Sequence, residues 1–168
     1  CKVNGMLCDL SVELTQDCEL QFLDAKSKDG HSVLLHSTAH LMAQAVKRLF
    51  PKTKVTIGPY LENRFYYDFD VETPFSEEDL AKIEAEMVKI SNENLEIIHE
   101  VKSRDEALSF FSKIEEDYKV EIINDLDKDE ILKVYSQGEF TDLCRGPHVP
   151  STGTIKHFKL LSSSAAYW

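Results

Sequence analysis

The sequence predicts an α+β domain built around a mostly antiparallel sheet. Three observations carry this. Strand-like and helix-like stretches are interspersed without the regular alternation of a βαβ chain. Two stretches show sustained helical periodicity, and the strand-like stretches are short and bounded by turn formers. No internal repeat or low-complexity segment is evident.

Residues 1–24 read as short strands and turns. Asn4-Gly5 is a hairpin signal between Val3 and Met6-Leu7, and Leu20, Phe22 and Leu23 form a second apolar stretch. Lys26–Gly30 is a polar break and a candidate boundary. The clearest helix spans 32–50, with Ser32 as candidate N-cap and Pro51 as its stop. At about 100° per residue, Leu34, Leu35, Thr38, Leu41, Met42, Ala45, Val46 and Leu49 share one broad face. His36, His40 and Lys47 fall on the opposite pole, where a solvated setting is expected rather than a core one.

Lys54–Tyr60 and Phe65–Val71 read as strands, with Gly58-Pro59 and Glu62-Asn63 as breakers. Phe65-Tyr66-Tyr67 reads as a strand with one face in the core rather than a base-stacking platform. Ser76 and Asp79, followed by Leu80, Ile83, Met87 and Ile90, predict a capped amphipathic helix. The acidic run Glu77-Glu78-Asp79 suits a helix N-terminus. Glu96–Lys102 reads as a strand, and Ser103 with Glu106 as a capping box opening a short helix through Phe111. Tyr118–Ile123 leaves helix and strand both open. Ile131–Tyr135 and Phe140–Leu143 read as strands meeting at Gln137-Gly138, and Phe158–Leu161 as a last strand. Gly146-Pro147 makes the segment from Cys144 to His148 a loop.

Composition narrows the function classes. The 168 residues carry 19 Lys plus Arg against 30 Asp plus Glu, a formal charge of −11, with 42% hydrophobic residues. That is globular composition, not the profile of a disordered chain. No stretch approaches the ~20 apolar residues that cross a bilayer, and no signal peptide is visible, so no membrane partner is expected. An acidic surface repels phosphate, so the chain does not grip a long nucleic acid unaided. It could still accept one terminus delivered by a neighbouring domain. Cys1, Cys8, Cys18 and Cys144 contain no CxxC pair, which favours a reducing, cytoplasmic setting. The start at Cys1 and the stop at Trp168 within SSSAAYW read as cuts from a longer protein.

Two motifs could carry chemistry. HSTAH places His36 and His40 one turn apart on a helix, a spacing that suits a shared ligand or metal. It lacks the glutamate of a zinc-protease HExxH, and a pair of solvated histidines is the bland alternative. DLCRGPH packs Asp142, Cys144, Arg145 and His148 onto a Gly-Pro turn, where an ordinary turn with a free thiol is the alternative. Together His36, His40, Cys144 and His148 form a His3Cys set competent for tetrahedral zinc if they converge. Spacing alone cannot show that they do.

HSTAHLMAQAVKRLFP, IGPYLENRFYYDFD and DLCRGPHVPSTGTIKHFKLLSSSAAYW, in that order, closely resemble the amino-terminal half of bacterial threonyl-tRNA synthetase. The resemblance covers essentially the whole chain. It implies that residues 1–27 are the back part of a ubiquitin-like TGS domain. Residues 28–168 would be the editing (second additional) domain, truncated at its C-terminal end.

The implied activity is hydrolysis of seryl-tRNA(Thr), while the whole synthetase ligates threonine to tRNA(Thr) with ATP. A missing methyl gives only ~1–3 kcal/mol of discrimination, so a second, hydrolytic sieve is needed. By resemblance the catalytic residues are His36, Lys119, His40 and His148, and the substrate-binding residues Tyr67, Tyr135, Asp142 and Cys144. Lys119 and Tyr135 carry no signal of their own. His36 and Lys119 would position the attacking water, Asp142 would bind the serine ammonium, and the two tyrosines would hold the adenosine.

The resemblance implies editing without a metal. Any metal would sit on His36, His40, Cys144 and His148, whereas ATP, magnesium and zinc belong to a catalytic core absent here. Expected partners are the tRNA 3′ end carrying serine and the rest of a homodimeric synthetase. Two alternatives stand beside this: a free-standing trans-editing deacylase, and a non-enzymatic zinc- or RNA-binding module.

Overall fold

The computed structural model describes residues 1–165, so the closing Ala-Tyr-Trp of the sequence motif lies outside the described residues. All the strand pairings are antiparallel, and helices pack against them, as the α+β reading expects. Strands β1 (Lys2–Val3), β2 (Met6–Leu7) and β3 (Leu20–Gln21) form a small sheet in the order β2-β1-β3. Asn4 and Gly5, both at positive φ, make the β1–β2 turn.

Helix α1 (Lys28–Leu49) starts four residues before the expected position. The reason is local: the Ser27 hydroxyl accepts from the Gly30 N–H at 3.2 Å, so the second half of the supposed break is the helix's first turn. Ser32 instead lies inside the helix, its hydroxyl donating to the Lys28 carbonyl. The predicted apolar stripe does pack as a core: Leu41, Ala45 and Val46 meet Ile83, Met87 and Ile90 of α2 (Glu77–Glu93) and Ile155. Helix α2 opens with the expected Ser76–Asp79 capping box.

The opposite pole of α1 departs from expectation. His40 is only 4% exposed, and residues 37–41 and 43–46 are all buried. A second core of Ala39, Ala43, Val55, Tyr67 and Phe140 covers that side, so α1 is sandwiched rather than half-solvated. Its polar residues are paired accordingly: Gln44 donates to the Gln137 carbonyl at 3.1 Å and accepts from the Gln137 amide at 2.9 Å.

The two strands expected at 54–71 are each broken in two. Strand β4 (Lys54–Val55) pairs with β7 (Phe69–Asp70), and β5 (Tyr60–Leu61) with β6 (Arg64–Phe65). Pro59 has no N–H to give the ladder, and the Tyr67 ring packs where a Cβ at Gly58 would sit, so the arm bends there.

The main sheet has the order β10-β9-β8, from β8 (Ile97–Lys102), β9 (Leu132–Gln137) and β10 (Phe140–Leu143). Leu132 and Val134 of β9 face Ala107 and Phe111 of α3 (Arg104–Lys113) and Ile123 of α4 (Asp117–Asp125). The ambiguous stretch at 118–123 is therefore helical. Alternate residues point the other way, and the register sets His99, Tyr135 and Asp142 side by side across the three strands.

After the loop, Thr152–Thr154 form a 3-10 turn against α2. No strand forms at 158–161: this segment runs beside α2, where Glu84 takes the Leu160 N–H at 2.8 Å in place of a ladder partner. Among the described residues no helix is long and apolar enough to cross a membrane.

The helix start is directly testable. Ser27→Ala should lower the unfolding free energy by about 1 kcal/mol through loss of the cap, whereas Ser32→Ala should leave it within about 0.5 kcal/mol. Urea unfolding of the two variants checks this, and the reverse ranking would place the cap at Ser32.

Candidate active site

Three pieces of chain meet at one place. The middle of α1 brings His36, Ser37 and His40. The loop after β10 brings Cys144 and His148. The sheet face beneath brings Tyr135 and Asp142, with Tyr67 and Lys119 arriving from the bent arm and from α4.

The four metal-competent side chains, 108 residues apart in sequence between His36 and Cys144, offer donor atoms that all lie within 4.8 Å of one another. Cys144 Sγ is 3.2 Å from His36 Nε2 and 3.3 Å from His148 Nε2. The imidazole centroids are 5.1 Å apart for His36–His40, 4.5 Å for His36–His148 and 4.4 Å for His40–His148. His36 alone of the three is partly exposed, beside the Tyr60 ring.

Below the imidazoles lies a buried polar layer. The Tyr67 hydroxyl donates to Asp142 Oδ2 at 2.6 Å. Lys119 Nζ donates to the Tyr67 hydroxyl at 3.1 Å and to the Thr56 carbonyl. It also sits 2.5 Å from Asp142 Oδ1, an ion-pair contact whose angle falls short of a hydrogen bond. His40 Nδ1 is 3.6 Å from Asp142 Oδ2. Lys119 and Asp142 are both nearly solvent-free. The structure thus brings together all eight residues singled out above, but sets Lys119, Tyr67 and Asp142 on the floor and His36 and Cys144 nearer the opening.

Burial dominates the electrostatics. It holds His36 below the ordinary imidazole range, against the pull of Asp142. Burial, then the neighbouring His36 and Lys119 charges, hold His40 well below it. His148 is lowered in the same way, by burial and then by His40 and His36. The Cys144 thiol is pushed up to about 12 by burial, partly offset by the Gly146 N–H it accepts at 3.2 Å. Tyr67 is raised too, by burial and then by Asp142. Near neutral pH the cluster is therefore three neutral imidazoles and a protonated thiol. Neutral imidazole is the form that accepts a proton.

Two residues with no signal in the sequence complete the surroundings. Ser37, fully buried, has its hydroxyl 3.0 Å from His148 Nδ1 and accepts the Val149 N–H at 3.1 Å. Asp9, from the amino-terminal segment, accepts the Tyr135 hydroxyl at 2.7 Å and the His148 N–H at 3.0 Å. The sequence holds a retrospective hint of Ser37 only in its position between the two histidines. Gly146 sits at φ +69° with its α-carbon against the Tyr135 hydroxyl, where a Cβ would overlap it, which is why the loop needs glycine there.

Residues 132–166, spanning β9, β10 and the loop, match the family model described as "Threonyl and Alanyl tRNA synthetase second additional domain". Curated relatives named threonine–tRNA ligase match along nearly the entire chain. That of Symbiobacterium thermophilum is 54% identical over 167 residues, 99% of this chain and 26% of its own length. That of Pelobacter propionicus is 56% identical over 167 residues, with the same shares of each chain. That of Fusobacterium nucleatum is 53% identical over 168 residues, 27% of its own length. Along nearly all of its length the chain is similar to a segment of these bacterial threonine–tRNA ligases. It spans about a quarter of the length of the curated ligases it matches. The His36–His40 helix face and the Cys144–His148 loop form one cluster rather than two separate surfaces.

The site should leave a mark on the pH dependence of stability. His40 and His148 have folded-state values below their ordinary 6.5, so the unfolded chain binds their protons first as pH falls. Their contribution is complete above about pH 6.5 and is lost below it. Cys144 is raised from an ordinary 9.0 to about 12, so its contribution is complete below pH 9 and is lost between 9 and 12. Thermal unfolding should show a plateau between about pH 6.5 and 9, and Cys144→Ser should flatten the alkaline limb relative to the parent chain. An identical alkaline limb in both would contradict a buried thiol.

Proposed function

We propose that the chain is the editing part of a threonine–tRNA ligase and hydrolyses seryl-tRNA(Thr). The observation that carries this reading is the convergence of three neutral imidazoles with a thiol at the edge of a buried Lys–Asp pair, with Asp142, Cys144 and His148 inside the stretch that matches the second additional domain. On this reading residues 1–27 close a ubiquitin-like domain and residues 28–168 form the editing domain, which the separate β1–β3 sheet and the helix start at Lys28 support.

His36, the most accessible imidazole, takes a proton from a water that attacks the ester carbonyl. The ribose hydroxyl leaves with a proton returned by the same neighbourhood, so water plus ester gives free serine and free tRNA. Cys144 stays a thiol and makes no covalent bond, in keeping with its upward shift. Lys119 and Asp142 act from the floor, where their ion pair holds Tyr67 and His40 in place beneath the substrate. Tyr135 shapes a wall, and Tyr67 the floor, of the pocket that receives the terminal adenosine. The formal charge of −11 is consistent with a tRNA grip that resides mainly in the rest of the synthetase. Threonine ligation, with its ATP, magnesium and zinc, would belong to the other three quarters of such a protein.

The donor set also fits zinc. Two Sγ–Nε2 separations of 3.2 and 3.3 Å approach the roughly 3.3–3.8 Å spacing of donors around a tetrahedral zinc. His36, His40, Cys144 and His148 would hold the ion, which would supply a Lewis acid, and Ser37 would orient His148 from behind. We favour hydrolysis without a metal. A zinc-binding module is the second reading.

Single-turnover deacylation of seryl-tRNA(Thr) and threonyl-tRNA(Thr) tests the function. The seryl ester should be cleaved faster, and His36→Ala and Lys119→Ala should each slow it by about 100-fold. Unchanged rates in both variants would remove these roles. Metal analysis of the purified chain, with an EDTA-treated control, should find sub-stoichiometric zinc and undiminished cleavage. Stoichiometric zinc with no ester cleavage would establish the second reading instead.

A further inference from the structure

We propose that Asp9 is a positioning residue of this site, tying the amino-terminal segment to the Cys144–His148 loop and to Tyr135. The proposal rests on the hydrolytic reading above for its catalytic consequence, and on geometry alone for the contact.

Asp9 lies just past β2, within the region assigned to a different domain, yet its side chain is only 11% exposed. Its two oxygens are used separately: Oδ1 accepts the His148 N–H at 3.0 Å and Oδ2 accepts the Tyr135 hydroxyl at 2.7 Å. His99 Nδ1, next along the same sheet face, stands 3.6 Å from Oδ2. The Tyr135 hydroxyl in turn abuts Gly146, and its ring centroid is 4.5 Å from that of His148. One carboxylate therefore fixes the loop at His148 directly and at Gly146 through Tyr135.

Ser37 holds the next residue, Val149, and the far side of the His148 ring. His148 is thus held at its own N–H by Asp9, at the next N–H by Ser37, and on both ring nitrogens, by Ser37 and by Cys144. Charge-assisted bonds of this kind are the stronger sort, and partners of this rank set the orientation of the groups that do chemistry. The site is incomplete without the amino-terminal segment, although 139 residues separate Asp9 from His148.

The experiment compares Asp9→Ala, Asp9→Asn and Tyr135→Phe in the full chain. Three readouts are taken: the iodoacetamide alkylation rate of Cys144 by peptide mass mapping, the His148 amide proton shift, and kcat and KM for seryl-tRNA(Thr) deacylation. Freed of its anchor, the loop should expose Cys144, so Asp9→Ala should alkylate about tenfold faster and lose about tenfold in kcat with KM within about twofold. Asp9→Asn, which keeps one acceptor oxygen, should fall between. Tyr135→Phe should accelerate alkylation as well, and the Asp9→Asn/Tyr135→Phe double variant should fall short of the product of the single effects.

A folded Asp9→Ala chain with the parent's Cys144 reactivity and His148 amide shift would overturn the proposal. A rise in kcat with a fall in KM would also overturn it, because Asp9 would then be an occupant that substrate displaces. If Asp9→Ala does not fold, the Asn and Phe variants decide by the same criteria. If the parent cleaves no ester, the hydrolytic reading fails while alkylation and the amide shift still judge the anchor.

Discussion

The Lys119–Asp142 pair is the contact on which the rest of the site depends. Two charges nearly free of solvent are costly to bury, and the cost is offset only when the remaining bonding capacity is filled. Here Tyr67 and the Thr56 carbonyl fill most of it, while Asp142 Oδ1 keeps only its ion-pair contact with Lys119, so one ion pair binds α4, β10 and the bent arm of 56–67 beneath α1. His40, 3.6 Å above Asp142, rests on this layer. Removing either partner leaves an uncompensated charge, a loss on the order of 3–5 kcal/mol. The same pair gives the imidazole cluster a fixed electrostatic floor.

Burial itself explains how a helix can carry these histidines without protonating them, against the pull of Asp142 on His36 and His148. Desolvation favours the neutral ring, and each neighbouring imidazole would repel a second positive charge. The cluster therefore suppresses charge collectively while keeping its lone pairs directed inward. A group of bases that remain bases at neutral pH is suited to moving protons from water to a leaving oxygen, and equally to receiving a divalent ion. The geometry serves both chemistries.

Much of this was legible in the chain. Capping boxes at Ser76 and Ser103 mark helix starts because the signal is local, a hydroxyl and an acid three residues apart. The apolar stripe of α1 was legible as a core face, and the structure shows that it packs against α2. The burial of His40 was not legible, because it depends on Phe140 and Tyr67 arriving from distant segments to cover a pole that looks polar by itself. Ser27 and Ser32 both carry a capping hydroxyl, and only the backbone geometry chooses between them. The expected strand at 158–161 failed because strand patterning says nothing about whether a sheet edge is within reach. Asp9 was invisible for the reason that makes it informative: its partners are 126 and 139 residues away.

Those separations bear on how the molecule comes into being. His36 meets Cys144 across 108 residues, and Ser37 meets His148 across 111. Closing loops of this length carries an entropic toll that local helices such as α1 and α2 never face. A ribosome adds residues one at a time, so α1 can coil early while its histidines wait without companions. The imidazole–thiol cluster exists only after His148 has emerged and the loop has folded back, which makes it one of the last features of this region to assemble on a growing polypeptide.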